Sequence, residues 1–177
     1  LVPNATLDDL ELQSPQVVAL GASVEPGASW LVEFDTKWIN WSGAEGYKDF
    51  DWEDQWVFGF GAQYKITPAF SLRAGYNYAK SPVKEHNGFN PGGTTNVQGY
   101  DVGNVNYESL RILGFPAVVE HHLTLGLGYK FTEAMAINLS YMHAMDNTIK
   151  ESSAGDAFSF ESSLEEDTIT LGFSWFF

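Results

Sequence analysis

The stretch QWVFGFGAQYKITPAFSLRAGYNYA, Gln55 to Ala79, decides the fold. Trp56, Phe58, Phe60, Ala62, Tyr64 and Ile66 fall on every second position, with Gly59, Gly61, Gln63 and Lys65 between them. After the short link Thr67–Ala69 the pattern restarts, with Phe70, Leu72, Ala74, Tyr76 and Tyr78 against Ser71, Arg73, Gly75 and Asn77. A strict period of two is the mark of a strand with two unlike faces. A soluble sandwich puts Lys, Glu and Thr on its outer faces, whereas here glycine recurs opposite the large rings. Glycine weakens a strand and marks close approach or a tight bend. A wall that is large and apolar on one side, small and polar on the other, suits a barrel in lipid.

Working outward, the same alternation predicts seven strands, at about 16–25, 30–41, 55–66, 70–79, 120–131, 136–144 and 167–177. Each is roughly ten residues long, the length a tilted strand needs to cross a bilayer. Short links at Glu25–Ser29, Thr67–Ala69 and Thr132–Met135 alternate with long polar loops at Ser42–Asp54, Lys80–Val119 and Met145–Glu166. Outer-membrane barrels have this asymmetry, with short periplasmic turns and long outer loops. Seven is an odd number for a bacterial barrel, and an open sheet would leave two unpaired edges in lipid. Partner strands outside these residues are therefore expected.

Composition agrees. The chain has 177 residues, 44% of them hydrophobic, including 6 Trp, 8 Tyr and 13 Phe. With 23 Asp and Glu against 9 Lys and Arg the net charge is −14, which argues against a nucleic-acid partner. No cysteine is present, so disulfides, thiolate metal sites and thiol nucleophiles are excluded. A mean hydropathy of −0.17 suits a barrel as well as a soluble domain, because half of each strand faces a polar lumen.

Four separated stretches carry a resemblance: Asp35–Ser42 (DTKWINWS), Leu72–Pro82 (LRAGYNYAKSP), Phe115–Phe131 (FPAVVEHHLTLGLGYKF) and Asn138–Ala144 (NLSYMHA). With the opening Leu12–Gly21 they resemble the C-terminal half of the FadL/TodX-type family of outer-membrane transporters for long-chain fatty acids and hydrocarbons. The resemblance implies an all-β fold, a transmembrane antiparallel barrel of 14 strands, of which this chain would supply the last seven as a single C-terminal portion. It also implies a plugging hatch and a kinked-strand exit, both belonging to the N-terminal half.

Candidate sites follow. The segment Leu110–Val119 is an apolar end to a loop of some 40 residues. Its Leu110, Arg111, Ile112, Phe115 and Val118 are candidates to touch an acyl chain, with the alternative that this segment merely extends the next strand. Arg73, Lys84 and Arg111 are cations that could meet a carboxylate, which arginine grips in a bidentate way. His122 would face the lumen and His121 the rim; neighbours on a strand point apart, so the pair does not share a metal. The acidic loops, Asp49 to Asp54 and Glu165 to Asp167, match no calcium-loop spacing and read as solvated charge. No metal or cofactor is expected, and neither GxSxG nor HExxH occurs.

Aromatic residues near strand ends read as two interface girdles. Trp38, Trp41, Trp52 and Trp56 lie toward the long loops, and Trp30, Phe70, Phe131 and Trp175 toward the short turns. The last strand, with Phe173, Trp175 and a terminal Phe177, resembles a recognition signal for the barrel-assembly machinery. The expected function is passive uptake of long-chain fatty acids or other hydrophobic molecules across the outer membrane of a Gram-negative bacterium. Expected partners are lipid, lipopolysaccharide, a hydrophobic ligand such as a fatty acid or detergent, and the remaining N-terminal strands. The alternative is a general diffusion porin or a barrel-type adhesin; no enzyme activity is expected.

Overall fold

The computed structural model describes residues 10–175, so Phe177 lies outside the described residues. Seven strands form one antiparallel sheet: β1 Gln16–Val24, β2 Trp30–Asn40, β3 Gln55–Lys65, β4 Phe70–Ala79, β7 His121–Thr132, β8 Met135–Ser152 and β9 Ser159–Trp175. Sheet neighbours follow chain order throughout. Between β4 and β7 lie a small hairpin, β5 Thr94–Val97 with β6 Tyr100–Gly103, then a short helix α1 Asn104–Ser109 and a π-turn Leu110–Gly114. Among the described residues no helix is long and apolar enough to cross a membrane.

The register aligns the two faces across the whole sheet. One row runs Ala22, Phe34, Phe60, Tyr76, Leu123 and His143. Below it Val24, Val32, Ala62, Ala74, Leu125, Tyr141 and Ile169 form the next row on the same face. Beyond contacts within the sheet, the side chains of this face are left uncovered: Leu20 is 73% exposed, Ile169 76% and Leu171 70%. A continuous apolar face of this size is untenable in water and is what lipid contact requires. Rings mark its two margins, with Trp38 opposite Trp56 at one end and Trp30 tilted against Tyr64, centroids 4.7 Å apart, at the other. Trp30 and Trp38 are ~27 Å apart along the strand, or ~20 Å of depth at the usual barrel tilt.

The opposite face is polar and thinly covered. At two glycines the need for a missing side chain is direct. A Cβ on Gly21 would stand 2.2 Å from Asp35 Oδ1, and one on Gly128 2.7 Å from Ser71 Oγ and 3.1 Å from Arg73 Nη2. Charged side chains of the neighbouring strands lie across these positions. Gly59, Gly61 and Gly172 would meet only ordinary contacts, so there glycine leaves the face open and relieves no clash.

The buried core lies beyond the sheet. Phe50, Trp52, Val83, Val97, Tyr107, Ile112, Val118 and Ile149 form it, with Trp41, Tyr47, Phe115, Phe160 and Leu164 packed around them. All come from the long-loop end, so the loops Ser42–Asp54 and Lys80–Val119 build a lobe with a core of conventional kind. Two expectations change here. The long loop expected at Met145–Glu166 is instead an extension of the β8–β9 hairpin, which stays paired up to Ser152 and Ser159. It leaves the wall at a register shift between Ala144 and Asn147, after which Ile149, Phe160 and Leu164 turn toward the lobe core. Trp41 and Trp52 join that core, their rings 5.0 Å apart, and Trp52 is 6% exposed. Trp52 therefore belongs to a protein interior and not to a girdle facing lipid, and Trp41 packs with it.

Candidate functional site

Alternation along β4 puts Arg73 on the polar face, in the row Gln63, Arg73, Gly126, Ser140 and Thr170. Its Nε donates to Gln63 Oε1 at 2.7 Å and its Nη1 to Asn138 Oδ1 at 2.7 Å. The side chain thus lies flat over Gly126 and Gly128, reaching from β3 to β8. Both partners are neutral amides, so they hold the guanidinium in place without cancelling its charge. An ionisable side chain at membrane depth is costly and is the default marker of a functional site. Beside it a hollow of about 740 Å³ opens toward the short-turn end, lined by Lys65, Ser71, Lys130 and Asn138 among others. On the same polar face Glu33 and Asp35 occupy the two rows next nearer the lobe, and Lys37 the row beyond them.

His122 sits in the row of Asn77 and Ala144 on this polar face, half-buried, with its Nδ1 buried and unpartnered. His121 points the other way, against Tyr78, and pairs with the Tyr76 hydroxyl at 2.6 Å. Four residues separate His122 from the Arg73 row along β7, ~13 Å at strand rise, so the two do not form one site.

The other candidates gather in the lobe. Arg111 is fully buried. Its Nε donates to Phe50 O at 2.7 Å, its Nη1 to Glu108 Oε2 at 2.6 Å and Glu151 Oε1 at 2.8 Å, and its Nη2 to Lys84 O. Every arm of the guanidinium is engaged by the protein. The expectation that Arg111 meets a ligand carboxylate is thereby corrected: two internal carboxylates already occupy it. Ile112 and Val118 are core residues rather than an exposed docking surface. Phe115 is half-buried, its ring 5.4 Å from Phe50 and 6.4 Å from Trp52. Leu110, 42% exposed on the π-turn, is accessible. Lys84 is exposed and pairs with Asp51 at 3.1 Å. The segment Leu110–Gly114 is helical, not an extension of the next strand.

Around Arg111 a polar cluster appears that no motif announced. His86 contacts Glu108 Oε1 through Nδ1 at 3.1 Å and Asp51 Oδ2 through Nε2 at 2.9 Å, and its backbone N–H donates to Glu151 Oε1. The Glu108 hydrogen bond raises the His86 pKa above its ordinary value, against the effect of burial. Burial works to lower the Arg111 pKa, but the bonds from Glu151 and Glu108 outweigh it and hold the guanidinium charged. Burial pushes the Glu151 carboxyl up, more than Arg111 pulls it down. Glu108 feels burial too, yet its bonds to His86 and Arg111 carry it below its usual range. Burial also pushes the Tyr107 phenol up to about 12.

A sheet with one lipid-type face, one polar face and a folded lobe over one end is part of a transmembrane β-barrel wall. Residues 4–89 match the family model described as outer membrane protein transport protein (OMPP1/FadL/TodX). No curated protein matches the chain. Among solved structures the chain is similar to the Pseudomonas putida toluene transporter TodX, with TM-score 0.58, 18% identity, and coverage of 90% of this chain and 34% of that one. A TodX deltaS2S3 mutant described as a monoaromatic hydrocarbon channel gives 0.60 and 20%, covering 92% and 36%. A Pseudomonas aeruginosa FadL homologue gives 0.59 and 15%, covering 91% and 35%. The structural matches show the shared fold, and the chain spans about a third of the length of these structures.

Proposed function

We propose that this chain supplies seven wall strands and most of an outer lobe to a passive transporter of hydrophobic small molecules in the outer membrane of a Gram-negative bacterium. The observation that carries this reading is the inverted placement of apolar surface. The sheet exposes its rings and aliphatic side chains on one face and keeps a sparse polar face with Arg73 held across it. Long-chain fatty acids are the proposed cargo. Arg73, held by neutral partners, offers a carboxylate a charge-assisted hydrogen bond on the way through. Leu110 and Phe115 at the lobe, and His122 on the wall, are the proposed contacts for the chain. The remaining barrel strands close both edges of the sheet, the assembly machinery reads Phe173 and Trp175 on β9, and lipid and lipopolysaccharide surround the outer face.

The test is to purify the full-length protein from outer membranes in mild detergent and identify bound molecules by mass spectrometry. A fatty acid or hydrocarbon retained in the barrel is the expected result. A steady ion conductance in planar bilayers, with no retained hydrophobic ligand, sinks the reading.

A further inference from the structure

The cluster in the lobe has a feature that Arg111 leaves unanswered. Arg111 Nη1 takes one oxygen from each of two glutamates, Oε2 of Glu108 and Oε1 of Glu151. Of the remaining oxygens, Glu151 Oε2 is buried with no partner, on a residue only 1% exposed. An unpaired buried carboxylate oxygen carries the full cost of lost hydration. The other, Glu108 Oε1, faces His86 Nδ1 at 3.1 Å. On its far side the same ring meets Asp51 Oδ2 at 2.9 Å. His86 Nδ1 and Glu108 Oε1 thus face each other across a single proton, whose place on Nδ1 a metal ion would take.

One ligand atom from each of His86, Glu108 and Glu151 lies within 4.8 Å of the others. Asp51, Glu108 and Glu151 bring three negative charges against Arg111 and Lys84, so with His86 neutral the group keeps a net negative charge that attracts a cation. We propose that His86 Nδ1, Glu108 and Glu151 form a binding site for a divalent transition-metal ion of the zinc type, with a water as fourth ligand. One imidazole and two carboxylates suit zinc, whereas calcium prefers six to eight oxygens. Asp51 on Nε2 plays the part of the outer carboxylate that orients a ligating histidine. At zinc bond lengths of ~2.0–2.2 Å the ligand atoms stand ~3.4 Å apart, so His86 Nδ1 and Glu108 Oε1 at 3.1 Å are already close to placed and the wider separations to Glu151 close on binding. The site ties the segment after β4, helix α1 and the extended β8 together at one point, independently of what the barrel carries.

The probe is Zn²⁺ alone, titrated calorimetrically into the full-length protein in detergent. One saturable equivalent is expected, lost in His86→Gln and weakened ~10–100-fold in Asp51→Asn. Retained strand circular dichroism shows that each variant is folded. Cadmium-113 resonance on the unmodified protein guards against misfolded variants: one signal coupled to an imidazole nitrogen is expected. Absence of saturable binding overturns the proposal, as does binding that His86→Gln leaves unchanged or a cadmium signal from oxygen ligands alone.

Discussion

Arg73 and Arg111 are both cations that sequence reading pairs with a ligand carboxylate, and the fold treats them in opposite ways. Arg73 is legible because a period of two fixes which face it takes once β4 is recognised. Its flat pose over Gly128 then needs the register, since Asn138 lies 65 positions along the chain. Replacing Arg73 with Gln is expected to weaken binding of a fatty acid by ~10–100-fold, the size of one charge-assisted hydrogen bond, and to leave an uncharged hydrocarbon unaffected. Competition binding on the purified protein measures that ratio; equal loss for both ligands would remove Arg73 from any head-group role. Arg111 is illegible in the sequence because its partners Phe50 and Glu151 stand 61 and 40 positions away. Arg111→Met strands two buried carboxylates and is expected to destabilise the lobe by ~3–5 kcal/mol. Limited proteolysis of the loop Lys80–Val119 reads this, and adding Glu108→Gln and Glu151→Gln should recover most of the protection.

Strands with a strongly apolar face were read to within a residue or two, as β3 and β4 show. The hairpin extension was not, because residues 145–166 alternate Asn, Thr, Lys, Ser and Glu, which resemble a solvated loop. Only Ile149, Phe160 and Leu164 betray its inward side, too few to stand out without knowing what they pack against. The register shift after Ala144 is the structural mark of the change, a bulge at the rim where the strand re-aims itself. Below it the two faces of β9 should differ sharply in tolerance. Leu171→Arg, on the lipid-type face, is expected to cost ~2–4 kcal/mol of folding free energy in bilayers, while Thr170→Arg on the polar face costs little. Reversible folding into lipid vesicles measures both, and similar costs at the two positions would contradict the assignment of faces.

At the scale of the molecule, β1 and β9 end the sheet with outward N–H and C=O groups unpaired among the described residues. Backbone groups in hydrocarbon must be satisfied, so both edges require strands from beyond this sheet. In the membrane-embedded full-length protein, the amides of β1 and β9 that face away from β2 and β8 should exchange with deuterium as slowly as those between β3 and β4. Rapid exchange there would mean an open wall.

The lobe's core is sealed from water by protein, and the wall's apolar face is sealed only by lipid. The two halves of this chain therefore answer to different chemical insults. A chaotrope such as urea acts on the lobe by weakening burial, while stripping the bilayer acts on the wall by removing its solvent. Either part can be melted while the other stands, with the long strands β8 and β9 running unbroken from one to the other.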